Sequence, residues 1–344
     1  MNATHSIPQF PAEVPLEVPV QPVGTDKVGE TQRERRVHCF DDPDDDARQA
    51  LLAAWGANRP LLVRGEPGVG KTQLAEAAAV AMNRLLLTVT VDSRTESRDL
   101  LYTFDAVRRL AEAQLQGALP AAEDAMLARR RAELNADRFV VPGRLWWAFD
   151  WSSARKQSLE AKAAEEYSEQ LWQSKAGAVL LIDEIDKAEA EVPNGLLEAL
   201  GSREFQPPCG LPKVRQTGQP PLIVITTNEE RALPEPFLRR CVVLNLRLPG
   251  NDQDPTNEPL QKFLVERGAA HFPQADRAIL MLAATDFVRD RHAAFQAGFR
   301  PLPGQAEYLD LIRATLASAP GDSDKQRKNL EAFSKFILRK QVTS

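Results

Sequence analysis

The sequence has few cysteines and aromatic residues, and it has no long apolar run. Among its 344 residues are three cysteines, Cys39, Cys209 and Cys241, which are widely separated and form no CxxC pair. Their spacing favours free thiols in a reducing compartment over a disulfide framework or a zinc site. No apolar segment approaches the length of a membrane-spanning helix, and the N-terminus lacks the basic and apolar regions of a signal peptide. We therefore expect a cytoplasmic protein without membrane contact.

The sequence also has no excess of basic residues. It contains 43 Lys and Arg against 48 Asp and Glu, with a net charge of −5 and an isoelectric point of about 5.6. This balance argues against a large non-specific nucleic-acid surface and weighs against a nucleic-acid partner, although it leaves a local basic patch open. Hydrophobic residues at 43% and charged residues at 26% are typical of a globular protein, and the length allows one large domain or two smaller ones.

A phosphate-binding loop is the strongest motif present. It consists of Gly65, Glu66, Pro67, Gly68, Val69, Gly70, Lys71 and Thr72, which fit G-x-x-x-x-G-K-[ST]. An apolar run precedes it and an Ala-rich helix over Thr72–Met82 follows it, which favours a nucleotide site over a chance glycine turn. Lys71 is expected to reach the β- and γ-phosphates, and the Thr72 hydroxyl to hold Mg²⁺. No N-K-x-D or T-K-x-D motif occurs, which favours ATP over GTP.

Apolar runs alternate with helical patterns from Leu61 onward. The runs are Leu61–Val63, Leu85–Val91, Ala178–Ile182, Leu222–Thr226 and Val242–Leu246. Continuous apolar strands in such an alternation predict a parallel sheet that is buried on both faces by helices. The fold class is therefore α/β.

One interval, Arg98–Ala176, is too long for a single crossover and is predicted to be an insertion. Helical patterns within it cover Leu100–Gln116, Ala121–Ala136 and Ser153–Ser174. In the last of these, one apolar stripe is formed by Leu159, Ala163, Tyr167 and Leu171. The adjacent Trp146 and Trp147 are either buried anchors of the insertion or a surface that contacts a partner.

Two carboxylates follow a predicted strand at Asp183 and Glu184. Because parallel strands end at one edge of the sheet, near the phosphate-binding loop, Asp183 is expected to join the Mg²⁺ shell. Glu184 is expected to act as general base on the attacking water. An apolar strand followed by acids is weak on its own, but the pairing with the phosphate-binding loop makes it a Walker B motif.

Polar residues after one further strand and at the end of a short helix complete the candidate site. Asn228 follows the strand Leu222–Thr226 and is either a water-orienting amide or a turn residue. Arg239 and Arg240 close a short helix, where they either stabilise phosphate oxygens or only complement the helix dipole.

The two ends of the chain differ from its centre. Residues 1–38 are rich in proline and predict an extended or flexible arm, which is either a free tail or docks on a neighbouring subunit. Residues 39–248 are predicted to form the large nucleotide-binding domain, with an insertion at about 98–176. Residues 249–344 predict a small helical domain, with helices over Leu260–Ala270, Ala275–Ala297, Gln305–Ala317 and Lys325–Lys340.

Taken together, these segments resemble the AAA+ ATPases over roughly Asp45 to Ala317, and within them the MoxR-type branch. The branch is indicated by VLLIDEIDKA at Val179–Ala188, TTNEERALPEPFLRR at Thr226–Arg240, DLLYTFDAVRR at Asp99–Arg109, and PGRLWWAF. The resemblance implies a P-loop AAA+ parallel sheet with helices on both faces. It also implies a helix-2 insertion and a C-terminal all-helical lid.

The resemblance also implies a role for each matching residue. Lys71 and Thr72 match Walker A, Asp183 and Glu184 match Walker B, and Asn228 matches sensor 1. Arg240 stands at the position of the arginine finger, which reaches the ATP of the next subunit. Because Arg239 occupies a position where many members carry an acid, either arginine could be the finger. Arg300, which opens a lid helix, is the candidate sensor 2 residue that contacts the nucleotide.

The implied activity is Mg²⁺-dependent ATP hydrolysis by a homo-oligomer, usually a ring of six. MoxR-type relatives imply a chaperone-like remodeller of protein clients, assisted by a separate adaptor of the von Willebrand factor A type. Two alternatives stay open, namely an ATPase subunit of a metal chelatase and an AAA+ motor that acts on nucleic acid.

Overall fold

A computed structural model describes residues 7–16, 36–40, 45–118, 132–163 and 169–339. The chain forms two compact units. One consists of Met1–Gln49, Val63–Ala81 and Leu244–Ser344, and the other of Ala50–Leu62 and Met82–Val243. Among the described residues, no helix combines the length and apolar composition that a bilayer span requires.

Strands and helices alternate along most of the described residues. The strands are β1 (Glu13–Leu16), β2 (Arg36–Cys39), β3 (Leu61–Arg64), β4 (Leu85–Thr90), β5 (Tyr102–Phe104), β6 (Val140–Pro142), β7 (Ala178–Asp183), β8 (Glu204–Phe205), β9 (Val214–Arg215), β10 (Leu222–Thr227) and β11 (Val242–Asn245). The helices are α1 (Asp46–Ala57), α2 (Lys71–Ala81), α3 (Ala106–Gly117), α4 (Arg144–Phe149), α5 (Trp151–Glu160), α6 (Glu169–Gln173), α7 (Glu191–Ser202), α8 (Glu235–Leu238), α9 (Glu258–His271), α10 (Arg277–Gln296), α11 (Gln305–Ser318) and α12 (Ser323–Ile337).

The central sheet has five parallel strands in the order β11-β3-β10-β7-β4. Its strands begin at the residues that the apolar runs predict, and they end within one residue of the predicted ends. Strand β10 is buried along its whole length and β7 along all but its last residue, as expected for strands covered on both faces. The register pairs Ile225 with Ile182 and Thr90 with Asp183, so these strands end together at one edge. The predicted α/β fold is confirmed.

The adjacent tryptophans of the insertion are core residues. Trp146 is 3% exposed and Trp147 is 8% exposed. The Trp146 ring lies edge-on to Phe205 with centroids 5.7 Å apart, and its Nε1 donates to Ser153 Oγ at 2.8 Å. The alternative in which both tryptophans contact a partner is therefore wrong.

Two helical predictions within the insertion are wrong. The helix predicted over Leu100–Gln116 begins only at Ala106, because β5 pairs antiparallel with β6. The helix predicted over Ser153–Ser174 is interrupted after α5, where Lys162 adopts a left-handed φ of 50°. The predicted apolar stripe is not buried, since Leu159 is 55% exposed and Leu171 is 39% exposed. Tyr167 and most of the predicted helix Ala121–Ala136 lie outside the described residues.

The C-terminal part of the first unit is helical, as predicted. Helices α9 to α12 match the four predicted helices to within three residues at each end. Their shared core contains Leu264, Phe287, Tyr308 and Leu330, each fully buried. The Phe287 and Tyr308 rings meet edge-on with centroids 6.0 Å apart.

Two short strands occupy the proline-rich N-terminal region. Strand β1 pairs antiparallel with β2, with Glu13 opposite Cys39 and Leu16 opposite Arg36. Within the same unit, β1 packs against α2 and β2 packs against α9. The prolines are compatible with β1 because an edge strand tolerates missing N–H donors. The segment between the two strands lies outside the described residues.

Two histidines, the half-buried His38 in β2 and the buried His271 in α9, predict a pH dependence of stability. Burial, followed by the positive charge of Arg267, lowers the pKa of each from 6.5 to about 4. Because the unfolded chain then binds more protons between these pH values, the free energy of unfolding falls as pH falls from 6.5 towards 4. We expect the thermal unfolding midpoint of His38→Gln to fall less between pH 7 and pH 5 than that of the parent protein. An equal slope in the two proteins would contradict this origin of the acid sensitivity.

Candidate active site

The phosphate-binding loop connects β3 to α2 in the first unit. A Cβ atom at Gly65 would lie 2.3 Å from the backbone oxygen of Leu246, so only glycine fits there. Gly68 has a φ of +78°, a conformation that side chains rarely adopt. The loop therefore presents the start of α2, whose backbone N–H groups and dipole favour an anion.

Lys71, the first residue of α2, is folded back over the loop. Its Nζ donates to the backbone oxygens of Gly65 at 2.7 Å and Glu66 at 2.9 Å, and the residue is only 7% exposed. A buried ammonium group beside backbone N–H groups is a suitable environment for phosphate oxygens. Thr72 follows as the second helical residue.

Helix α11 braces the phosphate-binding loop from within the same unit. Ala306 N–H donates to the Gly68 oxygen at 3.1 Å. A Cβ atom at Gly304 would lie 2.7 Å from the Pro67 oxygen, so the backbones are in close contact. A cavity of about 500 Å³, a volume typical of small-molecule sites, is bordered by Pro67, Phe299, Pro301, Leu302 and Pro303 among other residues.

Arg291 in α10 contacts the phosphate-binding loop directly, a role that could not be predicted from the sequence. Its guanidinium donates to Glu66 Oε2 at 2.8 Å, to both Asp252 carboxylate oxygens at 2.7 and 2.8 Å, and to the Pro303 oxygen at 2.6 Å. Burial alone would lower the pKa of Arg291, but the bonds to Asp252 and Glu66 raise it above its ordinary value. No motif in the sequence marks Arg291, which lies in the charged run Arg289–Arg291.

Arg300, the sequence candidate for sensor 2, lies in the loop before α11 and is exposed. Its Nη1 donates to the Phe299 backbone oxygen at 2.6 Å, and its guanidinium lies over the Phe295 ring at 5.1 Å. A role for Arg300 in nucleotide binding stays a prediction.

In the second unit, Thr226 joins the two Walker B carboxylate residues. The Thr226 hydroxyl donates to Asp183 Oδ1 at 2.5 Å and accepts the Glu184 N–H at 2.9 Å. Thr226 is fully buried, and Glu184 adopts a left-handed backbone with φ 61° and ψ 48°. Such a conformation is unfavourable for glutamate and is maintained only by its surroundings. Thr226 is thus a positioning residue that the sequence did not reveal.

Two side chains hold the Glu184 carboxylate. Asn228 Nδ2 donates to Oε1 at 3.3 Å, and Lys187 Nζ donates to Oε2 at 2.5 Å. The hydrogen bond with Glu184 raises the pKa of Lys187. The structure therefore brings together Glu184 and Asn228, which the sequence proposed as base and water-orienting amide.

Asp186 fixes the segment that carries Asn228. It is 1% exposed, and its Oδ2 accepts the backbone N–H groups of Asn228 at 3.1 Å and Glu230 at 2.9 Å. Hydrogen bonds to a charged group are among the stronger ones, so the turn after β10 is firmly held.

The arginine pair follows α8, a helix of four residues anchored by the fully buried Phe237. Arg239 Nη2 pairs with Glu235 Oε2 at 3.1 Å, and both side chains are about four-fifths exposed, at 79% and 80%. Arg240 is also exposed. An exposed pair of this kind is weak, so it restrains Arg239 only slightly.

Comparison with known protein families agrees with this arrangement. The AAA domain family (dynein-related subfamily) matches residues 60–241, more than half of the chain. The chain belongs to this family. It is therefore an ATPase, from a family whose members usually assemble into rings. No curated protein sequence matches the chain.

Solved structures of Thermotoga maritima RuvB are among those to which this chain is similar. One mutant form of RuvB shares 16% identity over 84% of this chain and 68% of its own, with a TM-score of 0.44. The structure described as the RuvB Holliday junction branch migration motor is 16% identical to this chain. The match covers 84% of this chain and 67% of the RuvB chain, with a TM-score of 0.41. Likeness of this degree does not bear on what the ATPase acts on.

The Asp183 carboxylate of the second unit fits Mg²⁺, because Mg²⁺ prefers hard oxygen ligands and commonly binds through few protein ligands together with substrate phosphates. A Mg²⁺ ion held by Asp183 would neutralise negative charge on those phosphates. Asp183 is oriented for such a role by the Thr226 hydroxyl.

The position of Thr226 predicts a large effect of a small change in this ATPase. Thr226→Val removes the hydroxyl that joins Asp183 and Glu184. Since hydrogen bonds to charged groups contribute about 1.5–3 kcal/mol, we expect kcat to fall by about 10–100-fold. Thr227→Val is the matched control, because Thr227 is also buried but its Oγ1 accepts only from the nearby Glu229 N–H among the bonds described. Equal activity of the two variants would contradict the bridging role.

Proposed function

We propose that this ATPase is a ring-forming remodeller of the MoxR type, which matures or assembles partner proteins in the cytoplasm. The structure supports the catalytic part of this proposal through the hydrogen-bonded group of Asp183, Glu184, Thr226 and Asn228. The sequence segments that indicate the MoxR-type branch support the biological part.

Each catalytic residue receives a role under this proposal. Lys71 binds the β- and γ-phosphates, and Thr72 and Asp183 hold Mg²⁺. Glu184 takes a proton from the attacking water, which Asn228 orients. Lys187 and Asn228 keep the Glu184 carboxylate in one orientation before the reaction.

The exposed arginine at the end of α8 supports a catalytic site shared between subunits. Arg240 acts as the finger on the ATP of a neighbour in a ring of six, because its guanidinium is suited to bind two phosphate oxygens. Arg239 is the alternative, because the resemblance places the finger at Arg240, and the exposed pair of Arg239 with Glu235 restrains it only slightly.

We divide the chain into three regions on the basis of the same resemblance. Residues 1–38 are the N-terminal arm, 39–248 the large nucleotide-binding domain with its insertion at about 98–176, and 249–344 the helical lid. The phosphate-binding loop is coupled to the lid region through Arg291 and Glu66.

The observation that carries the protein-partner part is the apolar surface of the insertion. Helix α3 has no buried residue, and Val107, Leu110 and Leu115 are 80%, 60% and 70% exposed. Phe104, just before α3, is 40% exposed. Clustered exposed apolar side chains of this kind mark surfaces that bind other proteins. We propose that a client, or an adaptor of the von Willebrand factor A type, covers this surface.

Affinity capture tests the proposed function most directly. A Glu184→Gln protein with ATP present is expected to release its partners slowly and so retain them. A Glu184→Gln, Lys71→Ala protein serves as the control that cannot bind ATP. A Glu184→Gln, Leu110→Glu protein tests the α3 surface, because Leu110 is exposed and its replacement leaves the core unchanged.

The identity of the retained molecules decides between the alternatives. The remodeller is supported if Glu184→Gln retains a von Willebrand factor A protein together with a metalloenzyme or a multiprotein complex. These partners should be lost in both double variants. Chelatase subunits, with ATPase stimulation by tetrapyrroles, would instead assign the chain to the chelatases. Nucleic acid retained in a salt-sensitive manner would identify a nucleic-acid motor and contradict the proposal.

A further inference from the structure

The side chain of Arg59 contacts the turn that carries the proposed finger. Arg59 lies between α1 and β3, 180 or more residues before that turn in the sequence. Its Nε donates to the backbone oxygen of Arg240 at 3.0 Å, and its Nη2 donates to the backbone oxygen of Arg239. One guanidinium therefore binds both carbonyls of the arginine pair.

The end of α8 needs such a contact. The last carbonyls of a helix lack partners within the helix, and a helix of four residues has little stability of its own. The buried Phe237 fixes the helix on the side of the core. Arg59 supplies hydrogen-bond donors and a positive charge at the C-terminal end of α8. Both are favourable there, because that end has unpaired carbonyls and the negative end of the helix dipole.

The segment that carries Arg59 is itself held in place. Asn58 has a left-handed φ of 52°, and its backbone oxygen accepts a hydrogen bond from Arg203 Nη2. Arg203 also donates to Gln216 Oε1 at 3.2 Å. On the other side, Val242 N–H donates to the Pro60 oxygen at 2.8 Å, which places this segment beside the residues that follow the finger.

We propose that Arg59 is a positioning residue for the arginine finger. It orients the Arg239–Arg240 turn by binding its two carbonyls, and it thereby sets the direction in which the Arg240 side chain leaves the subunit. This inference rests on the proposed function, since it assumes that Arg240 acts on the ATP of a neighbour.

Steady-state kinetics of Arg59→Ala test the proposal. We expect kcat to fall about tenfold, and KM for ATP to stay within about twofold, because the variant's own nucleotide site is intact. Arg59→Lys is expected to restore part of the rate, since lysine keeps the positive charge and can donate to the turn but lacks the rigid planar fork of the guanidinium. Arg215→Ala is the matched control, as Arg215 is an exposed arginine paired with Glu204.

Mixed rings separate positioning from general destabilisation. Arg59→Ala subunits mixed with Glu184→Gln subunits should gain activity, because the Glu184→Gln neighbour supplies a correctly held finger. A defect in the variant's own nucleotide site would not be rescued in this way. The double variant Arg59→Ala, Arg240→Ala should be no slower than Arg240→Ala alone, since Arg59 acts only through Arg240.

The possible failures are distinguishable. If Arg59→Ala kept the wild-type kcat while Arg240→Ala was slow, the role of Arg59 would be overturned, but the assignment of Arg240 as the finger would stand. Wild-type kcat for Arg240→Ala would overturn the proposed shared site itself. An equal loss for Arg59→Ala and Arg59→Lys, without rescue in mixed rings, would also overturn the positioning role.

Discussion

Replacing Arg240 with alanine is expected to slow ATP hydrolysis by about 10³–10⁵-fold while ATP binding persists. A guanidinium group stabilises charge on the transferring phosphoryl group, and this interaction strengthens only in the transition state. The Arg240 side chain is exposed, so its loss should leave the subunit folded. Phosphate release and the binding of a fluorescent ATP analogue measure the two quantities separately.

Arg239→Ala is the matched control for this prediction. Its ion pair with Glu235 is highly exposed, so we expect its loss to change stability and kcat at most a few-fold. A large loss for Arg239→Ala together with normal Arg240→Ala activity would move the finger to Arg239. If both variants kept full activity while still assembled, neither residue could be a finger.

Replacing Glu184 with glutamine is expected to reduce kcat by about 10²–10⁴-fold, the usual contribution of a general base. Glutamine has the same shape and can still contact Asn228, so the ATP dissociation constant should change little. The left-handed backbone at position 184 is held mainly through the N–H bond to Thr226, which the substitution retains. Single-turnover experiments measure the rate of hydrolysis, and equilibrium titration measures the ATP dissociation constant.

Glu189→Gln provides the control for this change of charge. Glu189 lies further along the chain and pairs with Arg231 at the surface, with side chains 68% and 52% exposed. Its replacement should leave kcat within about twofold. Unchanged kcat in Glu184→Gln would refute the assignment of the base, and loss of ATP binding would show that Glu184 has a structural role instead.

The sheet and the C-terminal helices could be predicted because their signals are local. Strands β7 and β10 are continuous apolar runs, which have few alternatives once they are bounded by polar residues. The loop between β3 and α2 carries a complete motif whose glycines are required by the backbone. These features needed no knowledge of distant contacts.

The insertion was predicted less well because its structure depends on pairing between distant segments. Tyr102–Phe104 lies inside the helix predicted over Leu100–Gln116, but it forms β5 because β6 pairs with it. Thr226 and Asp186 were missed as positioning residues for the same reason, since their partners lie more than 40 residues away. Arg291 was missed because its carboxylate partners come from two other segments.

Mixing Arg240→Ala subunits with Glu184→Gln subunits tests the central claim that each ATP site is completed by a neighbour. Each protein alone should hydrolyse ATP slowly. In a mixed ring, an Arg240→Ala subunit has an intact base and receives a finger from its Glu184→Gln neighbour. We predict that the ATPase rate of the mixture rises well above that of either protein alone. A rate no higher than the average of the two, with mixed rings demonstrated by mass spectrometry, would contradict the shared site.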